Sequence, residues 1–287
     1  MVITSTSVNS MLIVSDGSFM ESYFVEHCKS SHDIRLLHVE DLAHVKSLSR
    51  RYATIIYCPV VSSSADNISH ISRLCGIMDA TSTPYNFIFI SSYEVYGMHL
   101  PNGVVVTEAM TPQPDTPFGR DMLACEHHLD KWSEGKDVCL TILRPGEIVG
   151  NAMTGRIRKM ADMIENGLYM HLPGYDGAIP LIHAEDLAAT ATCLCGHNGI
   201  FNLADGHAHR RTEVAEALAH RLNDKRILTV PRRVVALMKL LSPIIKPLEN
   251  LLSISSRETA LSVAAVAELS AGRFNPRNVV EYLNGDF

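Results

Sequence analysis

The sequence has no long apolar run, no excess of basic residues and no even set of cysteines. No segment approaches 18 uninterrupted apolar residues, so we expect no integral membrane helix. The 25 Lys and Arg are outnumbered by 31 Asp and Glu, giving a net charge of -6. This balance argues against nucleic acid as the main partner, because phosphate binding needs a basic face. The seven scattered cysteines favour a reduced, cytoplasmic protein, and the absence of a basic start predicts no signal peptide.

The residues that are present suit a folded α/β domain. Apolar residues make up 46% of the 287 positions, enough for a packed core. In the first half, short β-branched runs alternate with longer helical patterns, which predicts βαβ units. We therefore expect an α/β fold with a Rossmann-like doubly wound parallel sheet, which binds ligands beyond the carboxyl ends of its strands. The predicted strands are Met11–Val14, Ile34–His38, Thr54–Cys58, Asn86–Ser91 and Val138–Leu143, and the predicted helices are Phe19–Cys28, Asp41–Ser49, His70–Ala80 and Phe118–Trp132.

The pattern changes after about residue 150. We expect residues 1–150 to form a nucleotide-binding-type domain, interleaved with later segments, and residues 151–287 to form a smaller C-terminal substrate lobe. The apolar stretch Val234–Leu252 would suit an interfacial membrane helix, but Pro243 and Pro247 break its amphipathic face. A buried segment of the lobe or a dimer contact is therefore favoured. The predicted elements of this half are the helices Arg156–Asn166, Glu185–Cys195 and Thr212–Leu222 and the strands Ile200–Leu203 and Arg226–Val230.

Five segments in one order carry a family resemblance. They are FIFISSYEVYG at Phe87–Gly97, PFGRDMLACEHHL at Pro117–Leu129, LRPGEIVG at Leu143–Gly150, IHAEDLA at Ile182–Ala188 and FNLADG at Phe201–Gly206. Together they resemble the nucleotide-sugar epimerase/dehydratase branch of the extended short-chain dehydrogenase/reductase superfamily, over roughly residues 10–225. The resemblance implies a Rossmann-like fold, a small-molecule substrate, NAD(P) as cofactor and a homodimer through the helix at 118–132.

The residues that hold the cofactor in this family are altered here. A Gly-x-x-Gly-x-x-Gly turn normally lets the backbone approach the pyrophosphate. In Val14–Ser22, Gly17 is the one glycine, while Asp16 and Glu21 bring negative charge to that place. The acid that usually ends the second strand is replaced by His38. These changes disfavour NAD(P), leaving the cofactor unknown and the loop open to another ligand. The candidate cofactor contacts are Gly17, Ser18 and His38.

The catalytic Tyr-x-x-x-Lys pair of the family is also missing. Phe118 and Met122 stand in its two positions. Phenylalanine has no proton to transfer, and methionine supplies no positive charge to lower a phenol pKa. The standard redox mechanism of the family therefore cannot operate with these two residues.

The segment at 92–96 retains groups that can transfer protons. Ser92 matches the family's Ser or Thr that hydrogen-bonds the reacting oxygen, and Glu94 matches the acid/base Glu of its dehydratase and decarboxylase members. Tyr93 or Tyr96 is a candidate to replace the lost phenol. Structural alternatives stay open, since Tyr96 can pack under the loop and Glu94 can cap a helix or form an ion pair.

Other polar positions are candidates for substrate contact. Glu147 stands where sugar-nucleotide enzymes commonly carry an Asn that touches substrate, and His207 and His209 flank a loop expected to open toward the cleft. No metal site is expected, because the Cys-x-Cys-x-His at 193–197 lacks a second cluster of ligands. Glu126, on the helix at 118–132, is expected on a solvent-exposed face.

Three functions are compatible with this pattern. We favour a biosynthetic small-molecule enzyme of lyase, isomerase or cyclase type that uses Ser92, Glu94 and a tyrosine. The first alternative is a catalytically inactive homologue that senses a ligand or pairs with an active enzyme. The second is an NAD(P)-dependent nucleotide-sugar epimerase, dehydratase or reductase with a rebuilt site.

Overall fold

The structure is a computed structural model that describes residues 9–61, 66–81, 84–97, 103–270 and 272–285. Strands and helices alternate along its first half, as the periodicity predicts. The elements up to residue 149 are β1 Ser10–Ser15, α1 Phe19–Cys28, β2 Asp33–His38, β3 Thr54–Tyr57, α2 Asn67–Thr81, β4 Asn86–Ile90, β5 Val105–Val106, α3 Pro117–Ser133, β6 Cys139–Pro145 and β7 Glu147–Val149. Two short 3-10 helices lie among them, at Val39–Ala43 and Tyr93–Tyr96.

The second half contains shorter strands and more helix. Its elements are α4 Gly155–Glu165, β8 Met170–His171, β9 Ala178–Ile179, β10 Leu181–His183, α5 Ala184–Cys193, β11 Gly199–Leu203, β12 His209–Arg210, α6 Arg211–Arg221, β13 Leu228–Thr229, α7 Arg232–Leu241, α8 Lys246–Ser256, β14 Ala260–Leu261, α9 Ala264–Leu269 and α10 Val279–Asn284.

Six strands form one parallel sheet in the order β2-β1-β3-β4-β6-β11. The predicted Rossmann-like doubly wound α/β fold is therefore confirmed. Because β2 lies on one side of β1 and β3 on the other, the strand order reverses at β1. In such sheets, ligands bind in the crevice beyond the carboxyl ends of the strands at this reversal.

Helices cover both faces of the sheet, which explains why its strands are apolar at successive positions. Ile55 and Tyr57 of β3 belong to the core shared with α2 and α3. Ile56, between them, belongs to the core shared with α1 and α5. The alternation of side chains along a strand thus places neighbouring residues in two different cores.

A third apolar core joins α4, α6 and α10, which we call the α4–α6–α10 lobe. Ile157 and Ile164 of α4 pack with Val214 and Leu218 of α6 and with Val279 of α10. Although β11 and α5 come after residue 150, they belong to the central sheet and its covering layer. The expected domain boundary at residue 150 therefore stays a prediction.

The prediction of a helix at Asp41–Ser49 is wrong. The chain forms a single 3-10 turn at Val39–Ala43, and residues 44–49 are not helical. The guanidinium of Arg73 donates to the carbonyls of Leu42 and Val45, at 3.2 and 2.8 Å, which a continuing helix would need for itself. Tertiary hydrogen bonds therefore outweigh the local helical pattern.

The segment after residue 225 also differs from its prediction. In place of the strand predicted at Arg226–Val230, the structure has only β13, two residues that pair with β8. The stretch Val234–Leu252 is not a buried segment, because it folds into α7 and α8, and Val235 is the one buried residue of α7. Pro243 lies between the two helices, where it removes no helical hydrogen bond. Within the described ranges, no helix is long and apolar enough to cross a bilayer.

Glu126 is buried rather than solvated, which corrects the sequence-based expectation. Its carboxylate accepts from Arg144 Nε and Nη2 of β6 at 3.0 and 2.6 Å, and from the Ser91 hydroxyl at 2.5 Å. Both side chains of this ion pair are 3% exposed. The third guanidinium nitrogen of Arg144 donates to Tyr96 at 2.9 Å, and the Tyr96 hydroxyl donates to Asn202 of β11 at 2.7 Å. The network therefore joins α3 to three neighbouring strands.

We predict that Arg144→Leu lowers the free energy of unfolding by about 3–5 kcal/mol, because it leaves the Glu126 carboxylate buried without its cation. Urea unfolding measures the loss. The matched control is Arg158→Leu, since Arg158 pairs with Asp162 on the exposed surface and its loss should cost under about 1 kcal/mol. Equal losses for the two variants would contradict the conclusion that Arg144 neutralises a buried carboxylate.

His183 at the start of α5 provides a pH-dependent contribution to stability. Its ring lies 4.3 Å from that of Tyr282 and 5.8 Å from that of Tyr23, and Nδ1 accepts from the Glu185 amide. Burial, and then the charge of Arg277, lower the pKa of His183 to about 4. The neutral ring is therefore the form that the folded state prefers.

We predict that this stabilisation is present above the unfolded-state pKa of about 6.5 and is lost as the pH falls toward 4. Between pH 7 and 4.5 the loss should be about 2 kcal/mol. His183→Asn keeps an acceptor for the Glu185 amide but cannot gain a proton. Urea unfolding at both pH values should show that the variant loses about 2 kcal/mol less than the parent chain. An identical pH dependence would disprove the prediction.

Candidate functional site

A cleft of about 640 Å³ opens beyond the carboxyl ends of the central strands. Its walls come from the β1–α1 loop, the 3-10 helix at Tyr93–Tyr96, the start of α3, β7 and the start of α4. This is the crevice at which the strand order reverses. Of the sequence-predicted candidates, the cleft brings together Ser18, Ser92, Tyr93, Glu94 and Glu147.

Close backbone contacts position the 3-10 helix. The Ser92 hydroxyl caps it by accepting from the Glu94 amide at 3.2 Å. Gly97 ends it with φ of 81°, and any side chain there would collide with the Gln113 carbonyl. A Cβ on Gly119 of α3 would lie 2.5 Å from the Glu94 carbonyl oxygen. Gly119 thus lets α3 pack directly against the backbone of the 3-10 helix at Glu94, and Gly97 lets the backbone at Gln113 pass close to the end of that helix.

A guanidinium stands between two carboxylates in the cleft wall. Arg156 of α4 lies 2.7 Å from Glu94 and 3.3 Å from Glu147, measured between its nitrogens and the nearest carboxylate oxygens. It also donates to the Tyr93 hydroxyl at 3.0 Å, and that hydroxyl donates to Glu147 at 2.8 Å. The second oxygen of Glu94 accepts from Thr116 at 2.6 Å. We call Tyr93, Glu94, Glu147 and Arg156 the Arg156 cluster.

Burial alters the acidity of this cluster. It raises the pKa of Glu147 above the usual range, although the Arg156 charge opposes the shift. It also raises the pKa of Tyr93 well above 10, and the neighbouring Glu147 adds to this. A smaller cavity of about 40 Å³ adjoins the cluster, with Arg211 and Arg257 in its wall. The cluster therefore combines a carboxyl that holds its proton more strongly than usual with a neutral phenol, beside several cationic side chains.

Tyr96, the other candidate phenol, lies outside the cleft wall. It is 2% exposed, and its hydroxyl is bound to Arg144 and Asn202 in the buried network around Glu126. The structure thus brings Ser92, Tyr93 and Glu94 to the cleft and directs Tyr96 away from it.

The two family positions on α3 are apolar in the structure. Phe118 lines the cleft, and Met122 is fully buried in the core one turn further along the helix. In consequence, α3 offers the cleft neither a phenol nor an ammonium at these positions. The cation nearest the retained Glu94 comes from α4, as Arg156.

Two backbone amides of the β1–α1 loop donate to side chains of the same loop. The Gly17 amide donates to the Ser15 hydroxyl at 3.2 Å, and the Ser18 amide donates to Asp16 at 3.0 Å. Glu21, in the first turn of α1, accepts from the Ser15 hydroxyl. Amides at this place are the groups that bind a pyrophosphate in dinucleotide-binding folds, and two carboxylates repel one. The residues present therefore do not fit the pyrophosphate of NAD(P).

His38, at the end of β2, faces the same loop. Its Nε2 lies 3.5 Å from the Glu21 carboxylate, and the imidazole packs beside Gly17. The ring is 42% exposed, so it remains accessible to a ligand. An imidazole paired to a carboxylate replaces the acid that would accept from an adenosine ribose.

The two histidines expected near the cleft lie elsewhere. His209 is 4% exposed and its Nε2 donates to Asp205 at 2.6 Å, while His207 is on the surface beside it. Potential ligand atoms of these three residues lie within 4.8 Å of one another, an arrangement that could hold a metal ion. Asp205 also accepts from the Val279 amide at 2.9 Å, so the group already links β11, β12 and α10 through hydrogen bonds.

Sequence reasoning missed Arg156 and Thr116. Arg156 was visible as the first residue of a predicted amphipathic helix, and nothing in that pattern indicates its carboxylate partners. Thr116 precedes Pro117, a combination typical of a helix start, and its hydroxyl caps α3 by accepting from the Gly119 amide at 2.9 Å. The cap was predictable, whereas its hydrogen bond to Glu94 depends on the tertiary fold.

We predict that the chain binds NAD⁺, NADH, NADP⁺ and NADPH with Kd above about 1 mM, which isothermal titration measures. Removing both loop charges, with Asp16→Asn and Glu21→Gln together, should strengthen binding severalfold, because charge repulsion near a surface is worth about 1 kcal/mol or more. Micromolar binding by the parent chain would refute the conclusion that the loop does not fit the pyrophosphate of NAD(P).

Comparisons with known proteins agree with the fold. A family model described as "NAD dependent epimerase/dehydratase family" matches residues 61–204, half of the chain. No curated protein matches the chain by sequence. Among solved structures, a UDP-glucose 4-epimerase from Thermotoga maritima with UDP-glucose has TM-score 0.72 at 15% identity, over 96% of either chain.

Two further structures give the same result. A UDP-N-acetylglucosamine 4-epimerase from Bacillus cereus has TM-score 0.68 at 18% identity, over 96% of this chain and 97% of its own. A human epimerase family protein with NADPH has TM-score 0.70 at 11% identity, over 96% of this chain and 100% of its own. At such identities the structural likeness establishes the fold alone. Together with the family model, it places the chain in the NAD-dependent epimerase/dehydratase family of extended short-chain dehydrogenase/reductase folds.

Proposed function

We propose that this chain is a small-molecule enzyme of isomerase or lyase type that works by proton transfer and without nicotinamide. The observation that carries the proposal is the Glu147 carboxyl, held in the cleft wall by Tyr93 and Arg156 with its pKa raised by burial. A carboxyl of this kind can carry a proton at a pH where an exposed glutamate has lost it.

The proposed chemistry has no net oxidation. One carboxylate of the cluster takes a proton from a substrate carbon next to a carbonyl, and a proton returns at another position or a leaving group departs. Glu147 and Glu94 have different surroundings, which suits separate acid and base roles. The Ser92 hydroxyl lies at the cleft, where it can hydrogen-bond the reacting oxygen.

Cationic side chains support an anionic substrate. Arg156 and Lys159 line the cleft, and Arg211 and Arg257 lie in the wall of the adjoining cavity. The structural relatives with UDP-glucose or acting on UDP-N-acetylglucosamine direct the first tests to sugar substrates, and the proposed step requires ones with a carbonyl, namely sugar phosphates and keto-sugar nucleotides. Glu147, standing where such enzymes commonly carry an Asn, favours the monophosphates over the diphosphates.

A catalytically inactive homologue that binds a ligand is the second candidate. It is favoured by the saturation of the site, since Glu94 has both oxygens bound and the hydroxyls of Ser92 and Tyr93 are engaged within the chain. The third candidate, a nicotinamide enzyme with a rebuilt site, has the least support, because the loop amides at Gly17 and Ser18 are already bound.

Incubation of the tag-free protein with a panel of sugar phosphates and nucleotide sugars in D₂O tests the proposal. Mass spectrometry should show deuterium in one substrate or product, because a proton removed by a carboxylate exchanges with solvent before it returns. The rate should not change when NAD(P) is added. Deuterium incorporation that requires NAD(P) would support the third candidate and overturn ours.

Variants separate the enzyme from the inactive homologue. Glu147→Gln should lower the rate at least about 100-fold, since general acid–base groups contribute about 10² to 10⁴. The control Glu40→Gln changes an exposed glutamate away from the cleft and should leave the rate unchanged. Binding of a panel compound without any deuterium incorporation would contradict catalysis and establish the ligand-binding candidate.

A reduced, cytoplasmic setting and a homodimer belong to the same proposal. All seven cysteines are free thiols, and burial raises the pKa of several of them, among them Cys28 to about 11 and Cys75 to about 12. Thiols of this kind are unreactive and suit a reducing compartment. The homodimer contact through α3, predicted at Phe118–Trp132, stays a prediction.

A further inference from the structure

Helices α7 and α8 leave many large apolar side chains in solvent. Of the sixteen such side chains that are exposed in the described residues, seven lie between residues 234 and 251. Leu240 is 73% exposed and Ile244 is 81% exposed, more than any other of the sixteen. The remaining five are Val234, Leu237, Leu241, Ile245 and Leu251. Apolar exposure this concentrated marks an interaction surface.

The apolar residues of α7 share one side of the helix. Val234, Leu237 and Leu241 follow a spacing of three and four residues, which forms a continuous stripe. Arg232 and Lys239 lie on the far side of the helix from this stripe. Val235, between the two sides, is the residue that anchors α7 to the protein. Val234, Leu237 and Leu241 are 45%, 54% and 36% exposed, so the apolar stripe lies open to solvent.

The same segment is strongly basic in an acidic chain. Residues 225–246 contain six basic residues and no acidic one, whereas the rest of the chain has 19 Lys and Arg against 31 Asp and Glu. All six basic side chains are exposed; they are Lys225, Arg226, Arg232, Arg233, Lys239 and Lys246. The nearest acid along the chain on the α8 side is Glu249, which pairs with Lys246 at 3.3 Å.

We propose that residues 225–251 dock the protein on a membrane surface that contains anionic phospholipids, with α7 in the plane of the interface. A helix with one apolar side and exposed basic side chains on its other side is what such a surface recognises. At ten residues, α7 is about 15 Å long, which suits an interfacial helix and not a spanning one.

Other partners fit less well. A nucleic acid would use the basic side chains but would leave Leu240 and Ile244 without apolar contacts. A second copy of this chain would cover the apolar stripe, but its own segment is equally basic, so the contact would leave the charge without a complementary partner. An anionic lipid surface satisfies both features at once.

Flotation of the full chain with vesicles of phosphatidylcholine, with and without 30 mol% phosphatidylglycerol, tests the proposal. Binding should require the anionic lipid and should fall sharply at 0.5 M salt. Leu240→Ser with Ile244→Ser should weaken the partition coefficient at least about tenfold. Arg232→Gln with Arg233→Gln should weaken it about thirtyfold, at about 1 kcal/mol for each charge.

Matched controls change exposed residues that lie outside residues 225–251. Leu36→Ser with Val105→Ser tests apolar loss, and Arg35→Gln with Lys131→Gln tests charge loss; neither pair should alter the partition coefficient. Because all these positions are exposed, circular dichroism and thermal unfolding should match the parent chain.

Three outcomes would overturn the proposal. The first is equal reduction of binding by the control pairs. The second is no binding to anionic vesicles; a dimer, seen by light scattering, that Leu240→Ser with Ile244→Ser converts to monomer would then assign the stripe to a second copy. The third is salt-sensitive binding to a DNA or RNA duplex, by gel shift, with no binding to anionic vesicles.

Discussion

The shape of the cleft depends on the buried ion pair between Glu126 and Arg144. Through Ser91, Tyr96 and Asn202, this pair holds α3 against the ends of β4, β6 and β11, the edge from which the cleft is built. A buried charge pair stabilises only while both partners are present and their remaining hydrogen bonds are made. The position of the 3-10 helix at Tyr93–Tyr96, and of its cap Ser92, is therefore set by this buried network, independently of any ligand.

The Arg156 cluster is built on that fixed helix. With Phe118 and Met122 in place of the family's phenol and ammonium, α3 gives the cleft no charge at these positions, and the cation beside Glu94 comes from α4 instead. Arg156 is held by two carboxylates and a phenol, so its place is set by geometry as well as by charge. The cation beside Glu94 and its second carboxylate partner thus come from α4 and β7, as Arg156 and Glu147.

Periodicity predicted most of the central sheet and its covering helices, because those residues follow the spacing of the elements they form. It failed where a side chain distant in sequence decided the outcome. Arg73 ends the helical pattern after Ala43 by binding the Leu42 and Val45 carbonyls, and Arg144 turns Glu126 from a surface residue into a buried one. Sequence placed Glu94 and Glu147 as separate candidates, but their shared partner Arg156 is 62 residues from one and nine from the other. The stripe on α7 shows a further limit, since apolar spacing indicates that a helix has an apolar side without indicating what covers it.

The β1–α1 loop of this chain binds its own polar groups at the place where the family's fold receives a pyrophosphate. In a phosphate-binding loop without its ligand, the backbone amides donate to water instead. Here the Gly17 and Ser18 amides and the Ser15 hydroxyl bind within the loop, to Ser15, Asp16 and Glu21 respectively. A dinucleotide would have to break these hydrogen bonds, at about 0.5–1.5 kcal/mol each, and then face two carboxylates. Two amides of the loop are thus bound without a ligand, while the cation beside Glu94 comes from α4 at another part of the cleft wall, as Arg156.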